Sequence, residues 1–312
     1  MKAQYLKFAK KLIILLAIMF VVDRGLGSII QYYFENEPLG DAAAFAHAIN
    51  NPTEDVLIYG SSRAVHTYDT KIITDSLGLS AYNCGRNGSN VVYGSAILPG
   101  ALEGSHKPKL IIIDIVSKEI AWRSNKDGGD VLASMILPYV LTNEHFEELA
   151  MDLFPKELYK AKVSKLYAYN SQVLSIIRNY SRKDNDNING YQPLPGSKII
   201  NPPQEYTADR DGIDEFSKER LEYFIKTVQD NHIPLVAVLS PMYTKPFEDN
   251  ESIRVCKQVF AEHNIELWDY ASDPKYVQKD LFYDVNHLNT KGAEMFTREI
   301  MSRIKQEGIL KQ

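Results

Sequence analysis

Three short apolar runs constrain the fold of this chain most strongly. They are rich in β-branched residues, each is too short for a typical helix, and each is followed by polar or turn residues: Val56–Tyr59, Leu110–Ile115 and Leu235–Leu239. Weaker strand candidates are Ser80–Asn83 and Glu266–Asp269. Because stretches of helical periodicity lie between these runs, the sequence predicts an α/β fold. Its sheet is expected to be mostly parallel and covered on both faces.

Two of the predicted helices have a clear apolar side. Residues 213–229 repeat apolar side chains at helical spacing. In the last helix, apolar residues fall three or four positions apart at Ala293, Phe296, Ile300 and Ile304. Asn289 is the predicted N-cap of this helix. Residues 118–234 are too many for a simple crossover between two strands, so we interpret them as an insertion that is largely helical up to Tyr180.

The N-terminus has the charge pattern of a membrane segment. Four lysines precede the apolar run Leu12–Val22, which predicts that the N-terminus stays in the cytoplasm. Eleven residues are too few to cross a hydrocarbon core, and extension to Ile30 includes Asp23 and Arg24. Three interpretations are open: an uncleaved single-pass anchor, which we favour, a cleaved signal peptide, or a buried amphipathic helix.

This pattern gives a predicted domain organisation. Residues 1–30 form the N-terminal transmembrane anchor or signal peptide, and residues 31–53 form a linker or helix. Residues 54–312 form the main domain, with the insertion at 118–234.

Charge and cysteine content exclude several classes of protein. The formal net charge is -5, and the basic residues concentrated in the first 30 positions leave the rest more acidic, so no nucleic-acid partner is expected. The two cysteines, Cys84 and Cys256, form no CxxC pair and predict buried free thiols. Neither a metal site nor a cofactor motif is predicted, because the chain contains no clustered metal ligands and no Gly-x-x-x-x-Gly-Lys loop.

Two short motifs together contain the residue types of nucleophilic catalysis. Gly60-Ser61-Ser62 follows the first strand, and Asp284-Val285-Asn286-His287 precedes the last helix. A serine hydroxyl becomes a useful nucleophile when an imidazole takes its proton and a carboxylate fixes the imidazole tautomer. Each motif also has a purely structural interpretation: a turn with a helix cap, and an aspartate beside an exposed histidine. His66 is a reserve candidate for substrate contact because it lies close to the serines in sequence.

The two motifs and a block between them carry a resemblance to a known family. Together with Asn83-Cys84-Gly85-Arg86-Asn87-Gly88 and in this order, they resemble SGNH/GDSL hydrolases over residues 54–305. The similarity is to the membrane-tethered, extracytoplasmic branch that includes DltD-like proteins. It implies a three-layer α/β/α, flavodoxin-like sandwich. It also implies Ser62 as nucleophile, His287 as base with Asp284 as its orienting carboxylate, and the backbone N–H groups of Ser62 and Gly88 as oxyanion donors.

One position departs from the family pattern. The family usually places an Asn at the end of the third strand as a further oxyanion donor, whereas this chain reads Asp114-Ile115-Val116-Ser117. Loss of one such donor costs about 2.7 to 4 kcal/mol of transition-state stabilisation. The available replacements, which are also candidate substrate contacts, are Arg63, Asn87, Asn90 and Ser117. Arg63 has a second interpretation, a structural ion pair with Asp114 or Glu119.

These observations predict a serine-dependent esterase or O-acyltransferase. Its expected substrate is the acyl groups, in particular O-acetyl groups, of an extracytoplasmic cell-envelope glycan or polymer. The expected location is the bacterial cytoplasmic membrane, with the main domain extracytoplasmic and a membrane-bound O-acyltransferase as the partner of a transferase. The alternative is a non-catalytic SGNH-fold binding or assembly subunit of an envelope polysaccharide acylation system, which the missing Asn motivates.

Overall fold

A computed structural model describes residues 2–38, 40–50, 52–121, 129–181, 187–207 and 212–310. The chain divides into two compact units. The helical unit comprises Met1–Ala43 and Gly129–Lys183, and the sheet unit comprises Ala44–Gly128 and Asp184–Gln312. The domain boundaries given by the sequence pattern stay a prediction.

Thirteen α-helices and five strands are assigned within the described ranges. In chain order the helices are α1 (Lys2–Glu35), α2 (Gly40–Ile49), α3 (Ser62–Thr67), α4 (Thr70–Leu77), α5 (Val91–Leu102), α6 (Gly129–Ile136), α7 (Glu144–Leu153), α8 (Pro155–Val163), α9 (Lys165–Tyr169), α10 (Val173–Ser181), α11 (Glu215–Asp230), α12 (Glu251–Glu262) and α13 (Thr290–Gln306). The strands are β1 (Val56–Gly60), β2 (Ala81–Asn83), β3 (Leu110–Ile115), β4 (Leu235–Leu239) and β5 (Leu267–Asp269).

The five strands of the sheet unit form one parallel sheet in the order β2-β1-β3-β4-β5. This is the flavodoxin-like, doubly wound order, in which ligands bind beyond the carboxyl ends of the strands. The prediction of an α/β fold with a mostly parallel sheet is confirmed. All five predicted strands are present. The three β-branched runs form the central strands β1, β3 and β4, because such a run between turns fits a strand that is buried on both faces.

Helices cover both faces of the sheet. On one face, alternate strand residues such as Ile58 and Ile112 pack in a hydrophobic core. This core also contains Tyr68, which directly follows α3, and Phe296 and Ile300 of α13. On the other face, the ring of Tyr59 packs edge-on against Phe224 of α11, with 5.2 Å between ring centroids. The sheet unit is therefore a three-layer α/β/α sandwich.

The last helix begins and packs as its sequence predicts. Asn289 caps α13, since its side-chain oxygen accepts a hydrogen bond from the Gly292 N–H at 3.0 Å. The residues predicted to form its apolar side are all buried: Ala293, Phe296, Ile300 and Ile304. The helix predicted at 213–229 is α11, which begins at Glu215 because Asp214 is its N-cap. Cys84 and Cys256 are buried free thiols, as predicted.

The helical unit contains α1 and the helices α6 to α10. Phe34, near the end of α1, is buried between the rings of Tyr139 and Tyr169, at 5.6 Å from each ring centroid. The first part of α1 is different, because large apolar side chains from Tyr5 to Val22 are exposed. Among the described residues, α1 is the one helix long and apolar enough to cross a membrane.

Candidate active site

The turn between β1 and α3 directs a serine away from the end of the sheet. Gly60 has φ 148°, and a Cβ on it would lie 2.7 Å from the Asp114 carbonyl oxygen, so no other residue fits without a shift. Ser61 is the N-cap of α3 and accepts a hydrogen bond from the Arg63 N–H at 3.2 Å. Ser62 is thus left as the first residue of α3, with a hydroxyl that the cap does not use.

Ser62, His287 and Asp284 form a continuous chain of hydrogen bonds. The Ser62 hydroxyl lies 2.8 Å from His287 Nε2, although the two residues are 225 positions apart in sequence. On the other side of the ring, His287 Nδ1 lies 2.9 Å and 3.0 Å from the two carboxylate oxygens of Asp284. A proton on Nδ1 satisfies Asp284 and leaves Nε2 free to accept from Ser62. The predicted site residues are therefore brought together in the geometry that activates a serine.

The turn that contains Asp284 holds the imidazole in place. Asp284 Oδ1 also accepts hydrogen bonds from the backbone N–H groups of Asn286 at 2.9 Å and His287 at 3.0 Å. The Tyr243 N–H donates to the Val285 carbonyl at 3.1 Å. A single carboxylate thus shapes the turn and orients the ring, which explains how a spacing of three residues suffices.

His66 packs beside the base. Its ring lies edge-on to the His287 ring, with 5.4 Å between centroids. The His66 Nδ1 lies 2.7 Å from the Gln192 carbonyl oxygen, to which it donates. Burial lowers the pKa of His66, and the adjacent His287 lowers it further against the opposing effect of the Gln192 carbonyl. The lowered pKa favours the neutral form of the ring, which packs against His287 from the side.

Arg63 is a structural residue beneath the serine. The residue is 5% exposed, and its guanidinium donates to Ser240 Oγ from Nε at 3.0 Å and to the Pro241 carbonyl from Nη2 at 2.9 Å. The Ser240 hydroxyl in turn donates to Asp114 at 3.1 Å. Of the two interpretations of Arg63, the geometry favours the structural one, with Ser240 placed between the arginine and the carboxylate. Arg63 also lines the cavity beside Ser62, so its assignment as a substrate or oxyanion contact stays a prediction.

Asp114 lies at the centre of that buried network. It also accepts a hydrogen bond from the Tyr68 hydroxyl at 2.7 Å, and it is fully buried. Burial raises the pKa of the Asp114 carboxyl to about 6, although Arg63 and the two hydroxyl donors act in the opposite direction. The network joins β3, β4 and α3 directly below the turn that carries Ser62.

A cavity of about 550 Å³ opens beside the Ser62 hydroxyl. Ser62, Gly88 and His287 line it, with Ser117, Tyr206 and Tyr243. Gly88 has φ 74°, which favours glycine at this position. Hydroxyl and amide groups line the cavity together with the apolar side chains of Val116, Met242 and Val285, so it presents both polar and apolar surface.

The remaining candidate residues differ in their position relative to the cavity. Ser117 lines the cavity, whereas Asn87 and Asn90 are not among its lining residues in the described part of the chain. Asn90 caps α5 and accepts from the Val92 N–H at 3.2 Å, and its assignment as a substrate contact stays a prediction. Asn87 lies next to His66.

Sequence reasoning missed the residues that support Ser117. The Tyr206 hydroxyl donates to Ser117 Oγ at 3.0 Å, and Asn250 donates to the Tyr206 oxygen at 3.0 Å. Asn250 also donates to the Ser117 carbonyl at 2.8 Å. The Ser117 hydroxyl keeps its own proton for a further acceptor. These three residues lie on distant segments, so no spacing in the sequence connects them.

Within the described ranges, no cluster of three or more His, Cys, Asp or Glu residues could hold a metal ion.

The chain is similar to solved structures whose sequences differ strongly from its own. No protein-family model matches the chain, and no curated protein matches it. One similar solved structure is a proposed lipolytic protein of the G-D-S-L family from Desulfitobacterium hafniense, at 10% identity and TM-score 0.39, covering 80% of this chain and 98% of that one.

Two further solved structures are similar. The psychrotrophic esterase EstA from Pseudoalteromonas sp., inhibited by monoethylphosphonate, has 11% identity and TM-score 0.38, and covers 81% of this chain and 97% of that one. A proposed acylhydrolase from Bacteroides fragilis has 10% identity and TM-score 0.36, and covers 88% and 93%. Since all three TM-scores lie below 0.5, we base no functional assignment on them and argue function from the site itself.

Proposed function

We propose that this protein is a serine-dependent esterase or O-acyltransferase of the SGNH type. The observation that carries the proposal is the 2.8 Å distance between the Ser62 hydroxyl and His287 Nε2, with Asp284 on the opposite ring nitrogen. The purely structural interpretation of the two motifs does not explain why serine, histidine and aspartate are hydrogen-bonded in this order at the carboxyl edge of a parallel sheet.

The geometry suits acyl transfer through a covalent intermediate. Ser62 Oγ attacks the ester carbonyl while its proton passes to His287 Nε2, and Asp284 stabilises the resulting imidazolium. His287 then returns the proton to the departing alcohol, which leaves an acyl group on Ser62. Water completes hydrolysis, and a sugar hydroxyl at the same place completes transfer.

Three donors are candidates for the oxyanion that forms during attack. The backbone N–H groups of Ser62 and Gly88 are the first two, and both residues line the cavity. Ser117 is our candidate for the third, in place of the family's Asn. Its hydroxyl is held by Tyr206 and retains a proton that can be donated into the cavity.

The proposed substrate is an O-acetylated glycan or related polymer of the cell envelope. The hydroxyl and amide groups in the cavity lining support binding of sugar hydroxyls, and its apolar side chains support a short acyl group. In a transfer reaction, a membrane-bound O-acyltransferase would supply the acyl group. The proposed location is the bacterial cytoplasmic membrane, with α1 as a single-pass anchor, the N-terminus inside and the sheet unit extracytoplasmic.

Acetate release tests this proposal. Purified protein is incubated with p-nitrophenyl acetate and with chemically acetylated xylan, and acetate is measured with and without added sugar acceptors. We expect hydrolysis or transfer that Ser62→Ala abolishes, while Ser61→Ala, which removes only a helix cap, retains measurable activity. Equal activity in Ser62→Ala would refute the mechanism. Folded wild-type protein that neither hydrolyses nor transfers would favour the binding or assembly subunit.

A further inference from the structure

Two charged residues in α1 hold a junction between two other helices of the helical unit. The Asp23 carboxylate accepts hydrogen bonds from the backbone N–H groups of Lys165 at 2.9 Å and Leu166 at 3.3 Å, at the start of α9. It also accepts from the Ser164 hydroxyl. Arg24 Nη2 donates to the Val163 carbonyl oxygen at 2.7 Å, at the end of α8.

The signs of these charges match the helix ends that they contact. The first N–H groups of a helix and the last carbonyl groups have no partner within the helix, and they carry partial positive and negative charge respectively. Asp23 accepts from the N–H groups at the start of α9, and Arg24 donates to a carbonyl group at the end of α8. Charges that are bonded in this way can lie within a hydrocarbon layer at a much lower cost than free ones.

The length of the apolar run places these charges inside the membrane span. From Lys11 to Asp23 the α1 axis covers about 18 Å, at about 1.5 Å per residue. A bilayer core is about 30 Å thick, so with Lys10 and Lys11 at its inner boundary about 12 Å of core remains beyond Asp23. The α1 residues that follow Asp23 must therefore cross the outer leaflet.

The same part of α1 packs closely against α9. A Cβ on Gly27 would lie 2.8 Å from Cγ of Lys165, so the two helices touch at this level. Lys165 Nζ donates to the Ser28 hydroxyl at 2.9 Å. The junction between α8 and α9 is thus fixed beside α1 at the depth of the outer leaflet.

The surface of that junction has the composition of a membrane interface. Val163 is 77% exposed and Tyr159 is 59% exposed. Both line a mainly apolar cavity of about 610 Å³ together with Leu166 and Tyr167. Lys160 lies over the Tyr167 ring at 5.3 Å, and lysines of this kind extend to lipid phosphates while their stems and nearby tyrosines contact acyl chains.

We propose that the α8–α9 junction is inserted into the outer leaflet of the membrane that α1 spans, with lipid covering Tyr159, Val163 and Tyr167. The helical unit then has two points of membrane contact, a spanning helix and an interfacial one. The proposal rests on α1 as a membrane span and does not depend on the chemistry at Ser62.

Depth-dependent fluorescence quenching tests this placement in the full chain. Single variants Val163→Cys, Tyr159→Cys, Ser181→Cys and Ile14→Cys are labelled with the fluorophore NBD and reconstituted into phosphatidylcholine–phosphatidylglycerol vesicles. Native Cys84 and Cys256 are buried and should not react in the folded protein. Ser181 is the control, because the neighbouring Tyr180 hydroxyl contacts the Asn36 carbonyl at the far end of α1.

We expect lipid-borne doxyl groups to quench positions 163 and 159 several-fold more strongly than position 181, with aqueous iodide giving the reverse order. Strong doxyl quenching at position 14 with equal quenching at 163, 159 and 181 would overturn the proposal and leave α1 as the sole membrane contact. Weak doxyl quenching at position 14 would overturn it as well, because α1 would then not span the bilayer.

Discussion

At the scale of single residues, the site depends on how two adjacent serines divide their roles. The Ser61 oxygen accepts the capping hydrogen bond of α3, while the Ser62 hydroxyl is free to donate to His287. Similarly, one carboxylate oxygen of Asp284 accepts from two backbone N–H groups and from the imidazole. The roles follow from backbone position, since the two serines are chemically identical.

Asp284→Asn separates the structural role of this residue from its electrostatic one. The amide oxygen can still accept from the backbone N–H groups of Asn286 and His287, so the melting temperature should change little. Without a carboxylate, the imidazole tautomer and the imidazolium lose their support, and kcat should fall on the order of 1000- to 10,000-fold. Steady-state kinetics and thermal unfolding check both expectations, and wild-type kcat in the variant would reduce Asp284 to a turn residue.

Ser117→Ala tests the third oxyanion donor. Removal of a donor that acts only in the transition state should lower kcat about 100- to 1000-fold and leave KM nearly unchanged. Tyr206→Phe keeps the Ser117 hydroxyl but removes the group that holds it, so a smaller loss is expected. An unchanged kcat in Ser117→Ala would show that the oxyanion is stabilised by other groups.

At the scale of elements, a buried polar network joins the strand ends below the catalytic turn. Arg63 at the start of α3, Ser240 after β4 and Asp114 on β3 are linked through the Ser240 hydroxyl. Tyr68, which follows α3, closes the network on Asp114. This arrangement fixes the turn that carries Ser62 relative to the sheet, so the network positions the proposed nucleophile.

The network gives the sheet unit a specific pH dependence. The folded-state pKa of Asp114 is raised to about 6 by burial. Between about pH 4 and pH 6 the native state holds a proton that the unfolded chain has released, so this carboxyl stabilises the fold at the lower pH and loses that contribution as the pH rises. The unfolding free energy of wild type relative to Asp114→Asn should therefore increase as the pH falls from about 6 to about 4. Urea unfolding at several pH values measures it, and a flat or opposite trend would contradict the assignment.

The elements were predictable from sequence where local patterns determine them. The β-branched runs predicted three strands and two weaker candidates matched the others, and β1 extends one residue further because Gly60 continues its pairing with Asp114. The periodic residues of α13 and its cap at Asn289 were likewise visible.

Contacts between distant segments had no such signal. Arg63 with Ser240, and Ser117 with Tyr206, are separated by 177 and 89 positions, and tertiary packing alone brings them together. The motifs with Ser62 and His287 were found because a known chemistry requires both residue types.

At the scale of the whole molecule, α1 belongs to the folded helical unit as well as to the proposed membrane span. Its final turns contribute the buried Phe34, and Asp23 and Arg24 bind the ends of α8 and α9. A signal peptidase cut near Gly27 would remove both charges and leave those helix ends without these partners.

We therefore expect the mature protein to retain α1. N-terminal sequencing of protein from the membrane fraction should find residues that precede Asp23. A mature chain that begins near Ser28 and stays folded would contradict this expectation and favour the signal-peptide interpretation.

The central claim is that Ser62 is a nucleophile activated by His287, and covalent labelling with a fluorophosphonate probe tests it most directly. We predict one label per folded molecule, located by peptide mass spectrometry on Ser62, and lost in both Ser62→Ala and His287→Ala while Ser61→Ala still reacts. Folded wild-type protein that takes up no label, or takes it up at another residue, would contradict the account.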